Sequence, residues 1–176
     1  NLAFETAAEA FSMEISPRTA KAFQILARKA GIYGMIGGQV VDVESEGQPL
    51  SREKLDFIYK LKTGALIESS MMIGAVLAGA SDEEVAAIES VAGDVGLAFQ
   101  IQDDILDVTS TLEVLGKPIH SDDKNNKTTY VTLEGLEKAK EDVERISRRA
   151  LETLKSLDAE NEFLEELIRM LITREK

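Results

Sequence analysis

The sequence lacks cysteine and tryptophan and contains a single histidine, His120. Without cysteine the chain has no disulfide framework, no thiolate nucleophile and no cysteine-based metal site. One histidine excludes the His-rich zinc sites and disfavours a Ser-His-Asp triad, so we assign His120 no role. Because chains without disulfides are typical of reducing compartments, we expect a cytoplasmic protein.

Positive charge and long apolar runs are also scarce. Twenty Lys and Arg residues against 32 Asp and Glu residues leave a formal net charge of -12, which disfavours nucleic acid as a partner. The same charge does not exclude a phosphorylated substrate, because a bound metal reverses the local sign. No apolar run reaches membrane-spanning length and no signal peptide is visible, so we expect no membrane span.

Proline is rare as well, with three residues, and the chain shows helical periodicity nearly throughout. The periodicity predicts one all-α domain, a bundle of roughly seven helices. The predicted helices cover residues 1–14, 17–30, 32–45, 51–79, 81–108, 135–157 and 160–173. Residues 109–128 have no apolar period, and loops of that length are usually functional or disordered. Because residue 1 already lies in a helical pattern, we expect further N-terminal helices before it.

Three carboxylates stand close together in one predicted helix: Asp103, Asp104 and Asp107. Their spacing of three and four residues allows all three to point to one place. A half-buried acidic cluster requires a compensating cation, and oxygen ligands without His or Cys suit Mg²⁺ before Ca²⁺. The alternative is a solvated acidic patch near a helix end. An apolar run precedes the cluster, and Gln100 lies on the same helix face as Asp103. Both observations favour the Mg²⁺ site over the solvated patch.

Three further groups of polar residues interrupt the apolar pattern. They are Gln39 with Asp42, Lys62 with Thr63, and the two loop lysines Lys117 and Lys127. Acids on one side and lysines on another are what a metal-bound diphosphate requires. Taken singly, each has an ordinary alternative, such as a lysine whose stem lies along an apolar surface. Their joint presence favours a diphosphate site.

Six sequence strings together carry a resemblance to a known family. They are Leu2-Ala-Phe-Glu5, Gly37-Gly-Gln-Val-Val-Asp42, Tyr59-Lys-Leu-Lys-Thr-Gly-Ala65, Gly96-Leu-Ala-Phe-Gln-Ile-Gln-Asp-Asp-Ile-Leu-Asp107, Leu115-Gly-Lys117 and Asp123-Lys-Asn-Asn-Lys-Thr-Thr-Tyr130. The chain resembles the C-terminal part of a short-chain trans-polyprenyl diphosphate synthase of the farnesyl or geranylgeranyl type, over essentially its whole length. The resemblance implies a helical bundle of the isoprenoid synthase type without its N-terminal helices. Residues 1–176 would then be the C-terminal portion of one synthase domain.

The resemblance also implies an activity and a role for each polar group. The enzyme would be a prenyltransferase that condenses an allylic diphosphate with isopentenyl diphosphate head to tail, with Mg²⁺ as cofactor, and would form a homodimer. The implied metal ligands are Asp103, Asp104 and Asp107. The implied catalytic residues are Lys62, Thr63, Gln100 and Lys117. The implied substrate-binding residues are Gln39, Asp42, Lys62, Thr63, Gln100, Lys117 and Lys127.

One part of the family pattern is missing from residues 1–176. The first aspartate-rich motif and the arginine pair that follows it do not occur, so these residues alone would supply about half of a metal site. A non-catalytic helical subunit or truncated paralogue that pairs with a complete synthase is therefore an alternative, as is a purely structural helical module. We also expect residues 1–176 by themselves to fold poorly or associate, because the apolar faces of helices 1–14 and 32–45 would lack partners.

Overall fold

A computed structural model describes residues 1–110, 127–158 and 161–174, and within these ranges it contains helices and no strand. The helices are α1 (Leu2–Met13), α2 (Pro17–Ala30), α3 (Met35–Glu44), α4 (Arg52–Ile58), a π-helical segment (Tyr59–Gly64), α5 (Ala65–Ala78), α6 (Asp82–Thr109), α7 (Tyr130–Glu134), α8 (Leu136–Lys155) and α9 (Glu162–Thr173). The predicted all-α fold is confirmed. Most of the predicted loop, with Lys117 and His120, lies outside the described residues.

The helix boundaries follow local capping signals. Ser16 caps α2 with Pro17 at the first helical position, and Ser81 caps α6 in a reciprocal pair of hydrogen bonds with Glu84. At the C-terminal end of α5, Gly79 adopts a left-handed conformation with a φ of 93° and caps the helix. A serine N-cap such as Ser16 or Ser81 contributes about 1 kcal/mol. These capping signals explain why most predicted boundaries agree with the structure to within a few residues.

Three features of the helices differ from the prediction. Helix α3 begins at Met35 rather than near residue 32, and the long helix predicted at 51–79 contains a π-helical segment. The short helix α7 was not predicted. Five residues are too few to show an apolar period, which is why the sequence pattern does not reveal α7.

Helix α6 forms the centre of the bundle. Its buried apolar residues recur every three or four positions, as on one face of a helix: Val91, Val95, Ala98, Ile101 and Ile105. They belong to one core with buried residues of α4, α8 and α9, and α6 also packs against α5. The acidic cluster therefore lies at the C-terminal end of the most deeply packed helix among the described residues.

One described segment, Arg52–Ala78, is long and apolar enough to cross a membrane by length and composition. A core helix of a soluble protein passes the same test. Here the segment packs along its length against α2, α3 and α6. The expectation that the protein has no membrane span stays a prediction.

Apolar side chains are left exposed at the N-terminal end of the chain. Leu2, Met13 and Ile15 are exposed in and after α1. A second group lies before and along α3: Ile32, Tyr33, Ile36, Val40 and Val43. Contiguous exposed apolar residues mark interaction surfaces. The rings of Phe4 and Phe11 on α1, by contrast, pack against Phe23 of α2. The predicted lack of partners for helices 1–14 and 32–45 stays a prediction.

Candidate functional site

The π-helical segment Tyr59–Gly64 is the structural basis of the candidate site. Its backbone is approached closely from two sides. A Cβ atom at Gly96 of α6 would lie 2.8 Å from the Cα of Gly64. A Cβ at Gly38 of α3 would lie 2.8 Å from the Cβ of Leu61 and closer still to the backbone nitrogen of Lys62. Glycine therefore allows α3 and α6 to hold the segment that carries Lys62, and π-helical turns are frequent at functional sites.

We expect Gly38→Ala to destabilise the complete protein by about 1–3 kcal/mol, because the added methyl group has no room against the π-helical segment. The matched control is Gly74→Ala in α5, where a Cβ meets nothing within 4 Å. That change should stabilise the protein by about 0.5–1 kcal/mol, since alanine is the better helix former. Urea denaturation of both variants checks the prediction. A Gly38→Ala protein as stable as the parent would contradict the close packing.

A cleft of about 310 Å³ opens between the π-helical segment, α3, α6 and the residues that precede α7. Its lining includes four of the predicted site residues, Asp42, Lys62, Gln100 and Lys127. Nζ of Lys62 donates a hydrogen bond to Oδ2 of Asp42, which fixes the lysine across the cleft. The tertiary structure thus brings together residues that are up to 85 positions apart, from Asp42 to Lys127.

The other two predicted residues from these helices lie near the cleft but not in its wall. Gln39 on α3 and Thr63 on the π-helical segment are both half-buried, and neither is part of the cleft lining formed by the described residues. Their predicted roles stay predictions.

The three carboxylates of the acidic cluster lie in different surroundings. The side chain of Asp103 is 39% exposed, whereas Asp104 and Asp107 are buried. Adjacent residues of an α-helix point about 100° apart, so Asp104 turns towards the core when Asp103 faces outward. Among the described residues, no three His, Cys, Asp or Glu side chains gather in a group that could hold a metal. The expected convergence of all three is therefore not found there, and their metal-binding roles stay predictions.

Asp103 forms an ion pair with Arg174, which follows α9. The guanidinium of Arg174 also lies 3.7 Å from the centre of the Phe99 ring and donates to the Phe99 carbonyl at 3.4 Å. A cation over an aromatic face is favourable by about 0.5–1 kcal/mol or more. Arg174 could not be predicted as a site residue, because nothing in its local sequence pattern connects it with a carboxylate 71 positions away.

A buried polar network surrounds Asp104. Its Oδ2 accepts hydrogen bonds from the hydroxyl of Tyr59 and, at 2.7 Å, from the backbone N–H of Tyr130. The hydroxyl of Tyr130 in turn donates to Asp142 at 2.8 Å, and Arg52 donates to the same hydroxyl at 2.8 Å. Burial and the bond to Asp142 raise the pKa of Tyr130 to about 12. The network joins α4, the π-helical segment, α6, α7 and α8. It could not be predicted from the sequence, because its members are far apart along the chain.

Asp142 gives this network a pH dependence. Burial by itself raises the pKa of Asp142, but hydrogen bonds from Arg145, Tyr130 and Lys138 outweigh burial and lower the pKa to about 2. A carboxyl group whose pKa falls on folding stabilises the fold at pH values above its ordinary pKa of 3.8. That contribution is lost as the pH falls towards 2.

We therefore expect Asp142→Asn to cost stability at pH 7, on the order of 2 kcal/mol. The difference from the parent protein should shrink between pH 4 and pH 2, where Asp142 itself becomes protonated. Denaturation midpoints measured across that range check the prediction. A stability difference that stays constant down to pH 2 would show that the Asp142 charge contributes nothing.

Known proteins resemble this chain in both sequence and fold. The family model described as Polyprenyl synthetase matches residues 1–170. The chain is 41% identical over 165 residues to the large subunit 1 of a chloroplastic heterodimeric geranylgeranyl pyrophosphate synthase of Arabidopsis thaliana, covering 91% of this chain and 44% of the relative. It is 37% identical over 150 residues to a farnesyl diphosphate synthase of Geobacillus stearothermophilus, covering 85% and 50%.

Solved structures give the same result. A geranyltransferase from Helicobacter pylori, solved in complex with magnesium and isoprenyl diphosphate, superposes with a TM-score of 0.78 at 35% identity, covering 96% of this chain and 55% of that protein. A geranylgeranyl pyrophosphate synthetase from Pyrococcus horikoshii superposes with a TM-score of 0.84 at 27% identity, covering 98% and 63%. The chain spans about half the length of the curated relatives it matches. The resemblance seen in the sequence is confirmed, and the chain belongs to the polyprenyl synthetase family.

Proposed function

We propose that the complete protein is a prenyltransferase that joins an allylic diphosphate to isopentenyl diphosphate head to tail. In this reaction the allylic C–O bond breaks and diphosphate leaves, and the double bond of isopentenyl diphosphate attacks the resulting carbocation to form a C–C bond. A proton then passes to the released diphosphate from the carbon next to the new cation, which re-forms a double bond. The observation that carries the proposal is the cleft that unites Asp42, Lys62, Gln100 and Lys127. Tyr59 in the wall of this cleft donates a hydrogen bond to Asp104 of the acidic cluster. Family membership supports it.

The charges of the cleft suit the departing diphosphate. Lys62 and Lys127 supply two ammonium groups, and fixed positive charge lowers the barrier to the departure of an anion. Asp42 holds Lys62 in place. An ammonium group has three donors, so Lys62 can keep its bond to Asp42 and still donate to a phosphate oxygen. Asp42 is therefore a residue that orients Lys62. We propose that Thr63, Gln39 and Lys117 complete the substrate site, as the resemblance implies.

We propose that Mg²⁺ binds at the C-terminal end of α6. The carboxylate of Asp103 is partly exposed and already pairs with a cation, the guanidinium of Arg174. The donor set offers carboxylate oxygens without sulfur or imidazole, which suits Mg²⁺. When bound, the ion would neutralise charge on the leaving diphosphate. We assign Asp103 and Asp107, four residues apart on α6, to hold it. Asp104 differs, because its Oδ2 already accepts two hydrogen bonds.

We also propose that the protein is a homodimer in the cytoplasm, as the sequence predicts. The exposed apolar residues along α3, among them Ile36 and Val40, support association. Sedimentation of the complete protein tests the dimer, and a monomer at micromolar concentration would contradict it. Two of the relatives, from Arabidopsis thaliana and Catharanthus roseus, are chloroplastic.

The activity is tested on the complete protein with isopentenyl diphosphate and either dimethylallyl or geranyl diphosphate, with and without Mg²⁺. We expect elongated prenyl diphosphates, detected by mass spectrometry, only when Mg²⁺ is present. If the complete protein yields none with any allylic substrate, it is not a prenyltransferase by itself. Activity that appears only after a complete synthase is added would favour the non-catalytic subunit.

A further inference from the structure

The second carboxylate of the acidic cluster has a role that its place in the motif does not suggest. We propose that Asp104 is a positioning residue, which ties the wall of the cleft that carries Lys127 to the wall that carries Lys62. The effect on turnover rests on the proposed prenyltransferase function. The effect on the structure does not, since it concerns contacts within the chain.

The geometry joins two distant parts of the sequence through one oxygen atom. Oδ2 of Asp104 accepts from the hydroxyl of Tyr59 and from the backbone N–H of Tyr130 at 2.7 Å. Tyr59 begins the π-helical segment three residues before Lys62, and Tyr130 begins α7 three residues after Lys127. Asp104 is 8% exposed and Tyr130 is fully buried. The contact is therefore a fixed part of the interior rather than a surface bond.

The two hydrogen bonds conflict with a role for the same oxygen in metal binding. A carboxylate oxygen has two lone-pair directions, and both donors act on Oδ2. A metal at Oδ2 would displace at least one of them and leave a buried Tyr59 hydroxyl or Tyr130 N–H without its partner. Each such loss costs about 1–3 kcal/mol. Asp103 differs, because among the residues that the structure describes its side chain pairs with the guanidinium of Arg174.

The chain on either side of this contact is held as well. The side-chain oxygen of Thr128 accepts from the backbone N–H of Leu50 at 3.1 Å. Thr129 caps α7, and the ring of Tyr130 lies 4.1 Å under the guanidinium of Arg52. Residues 128–130 are thus attached at several points, and the bond to Asp104 links them to α6. Lys127 precedes this anchored turn directly, so its place in the cleft depends on it.

Three variants of the complete protein separate positioning from metal binding. Asp104→Asn keeps an oxygen acceptor for Tyr59 and Tyr130 but removes the charge. Asp104→Ala removes the acceptor, and Asp103→Asn removes the charge from the partly exposed neighbour. The readouts are hydrogen exchange over residues 127–134, Mg²⁺ binding by calorimetry in the presence of inorganic diphosphate, and steady-state kinetics.

We expect Asp104→Ala to accelerate hydrogen exchange at residues 127–134. The KM for the allylic diphosphate should rise by about tenfold, which corresponds to the free energy of one hydrogen bond to a charged group. The Mg²⁺ affinity of this variant should match that of the parent. Asp104→Asn should restore the slow exchange and most of the KM effect, again without a change in Mg²⁺ affinity. Asp103→Asn should weaken Mg²⁺ binding and leave the exchange at 127–134 slow.

The proposal is overturned if Asp104→Asn weakens Mg²⁺ binding as much as Asp103→Asn does, or if Asp104→Ala leaves the exchange at 127–134 unchanged. If Asp104→Ala does not fold, Tyr59→Phe removes one of the two donors and should give a smaller rise in KM, with Tyr33→Phe at an exposed ring as control. A parent protein without turnover would refute the proposed function only, because the exchange and binding measurements still decide the role of Asp104.

Discussion

Asp103→Ala in the complete protein should lower turnover by about two to three orders of magnitude, as expected when a preorganised charge-stabilising contact is removed. The fold should be retained, because the Asp103 side chain is partly exposed and its partner Arg174 keeps its contact with the Phe99 ring. Steady-state rates at saturating Mg²⁺ and both substrates provide the measurement.

Asp158→Ala is the matched control for this variant, since Asp158 is an exposed carboxylate between α8 and α9. It removes the same charge from the same chain and should leave turnover unchanged. If Asp103→Ala turns over as fast as Asp158→Ala at saturating Mg²⁺, the role assigned to Asp103 is wrong.

Lys62→Ala is the second change with a large expected effect. Lys62 lies in the cleft and is oriented by Asp42, so its loss removes a fixed positive charge from the proposed diphosphate position. We expect a fall in kcat/KM for the allylic diphosphate of about two to three orders of magnitude, a size typical of such donors. The KM for isopentenyl diphosphate should change much less, because Lys62 is assigned to the allylic substrate.

Lys60→Ala provides the control, because Lys60 lies on the same π-helical segment but is exposed and lines a different cavity. Circular dichroism of both variants should show the parent's helical content. Equal kinetics of the Lys62 and Lys60 variants would exclude a diphosphate contact at Lys62 and would leave the lysine as a partner of Asp42 alone.

Much of the fold could be predicted from the sequence because its determinants are local. The caps at Ser16 and Ser81 act through hydrogen bonds between residues three positions apart. The apolar face of α6 repeats every three or four residues, and the same repeat places the acidic cluster on that helix. The interruption of the apolar pattern at Lys62 coincides with the π-helical segment.

The partners of the site residues depend on contacts between distant parts of the chain. Lys62 meets Asp42 across 20 positions, Tyr130 meets Asp104 across 26 and Arg174 meets Asp103 across 71. No period of a single helix contains this information. In the sequence Asp103 and Asp104 are equivalent members of one motif. In the structure they differ in exposure and in hydrogen-bond partners.

By itself, the sequence determined that this protein is helical, which helices carry the polar residues, and to which family it belongs. Helical periodicity and capping are short-range properties, so they can be read without a partner helix. Only the tertiary structure decided which carboxylate faces outward to a cation and which one turns inward to hold Tyr59 and Tyr130. The physical reason is packing. The core face of α6 requires every buried acceptor near it to be paired, and the donors that can pair with Asp104 come from other elements that pack against α6.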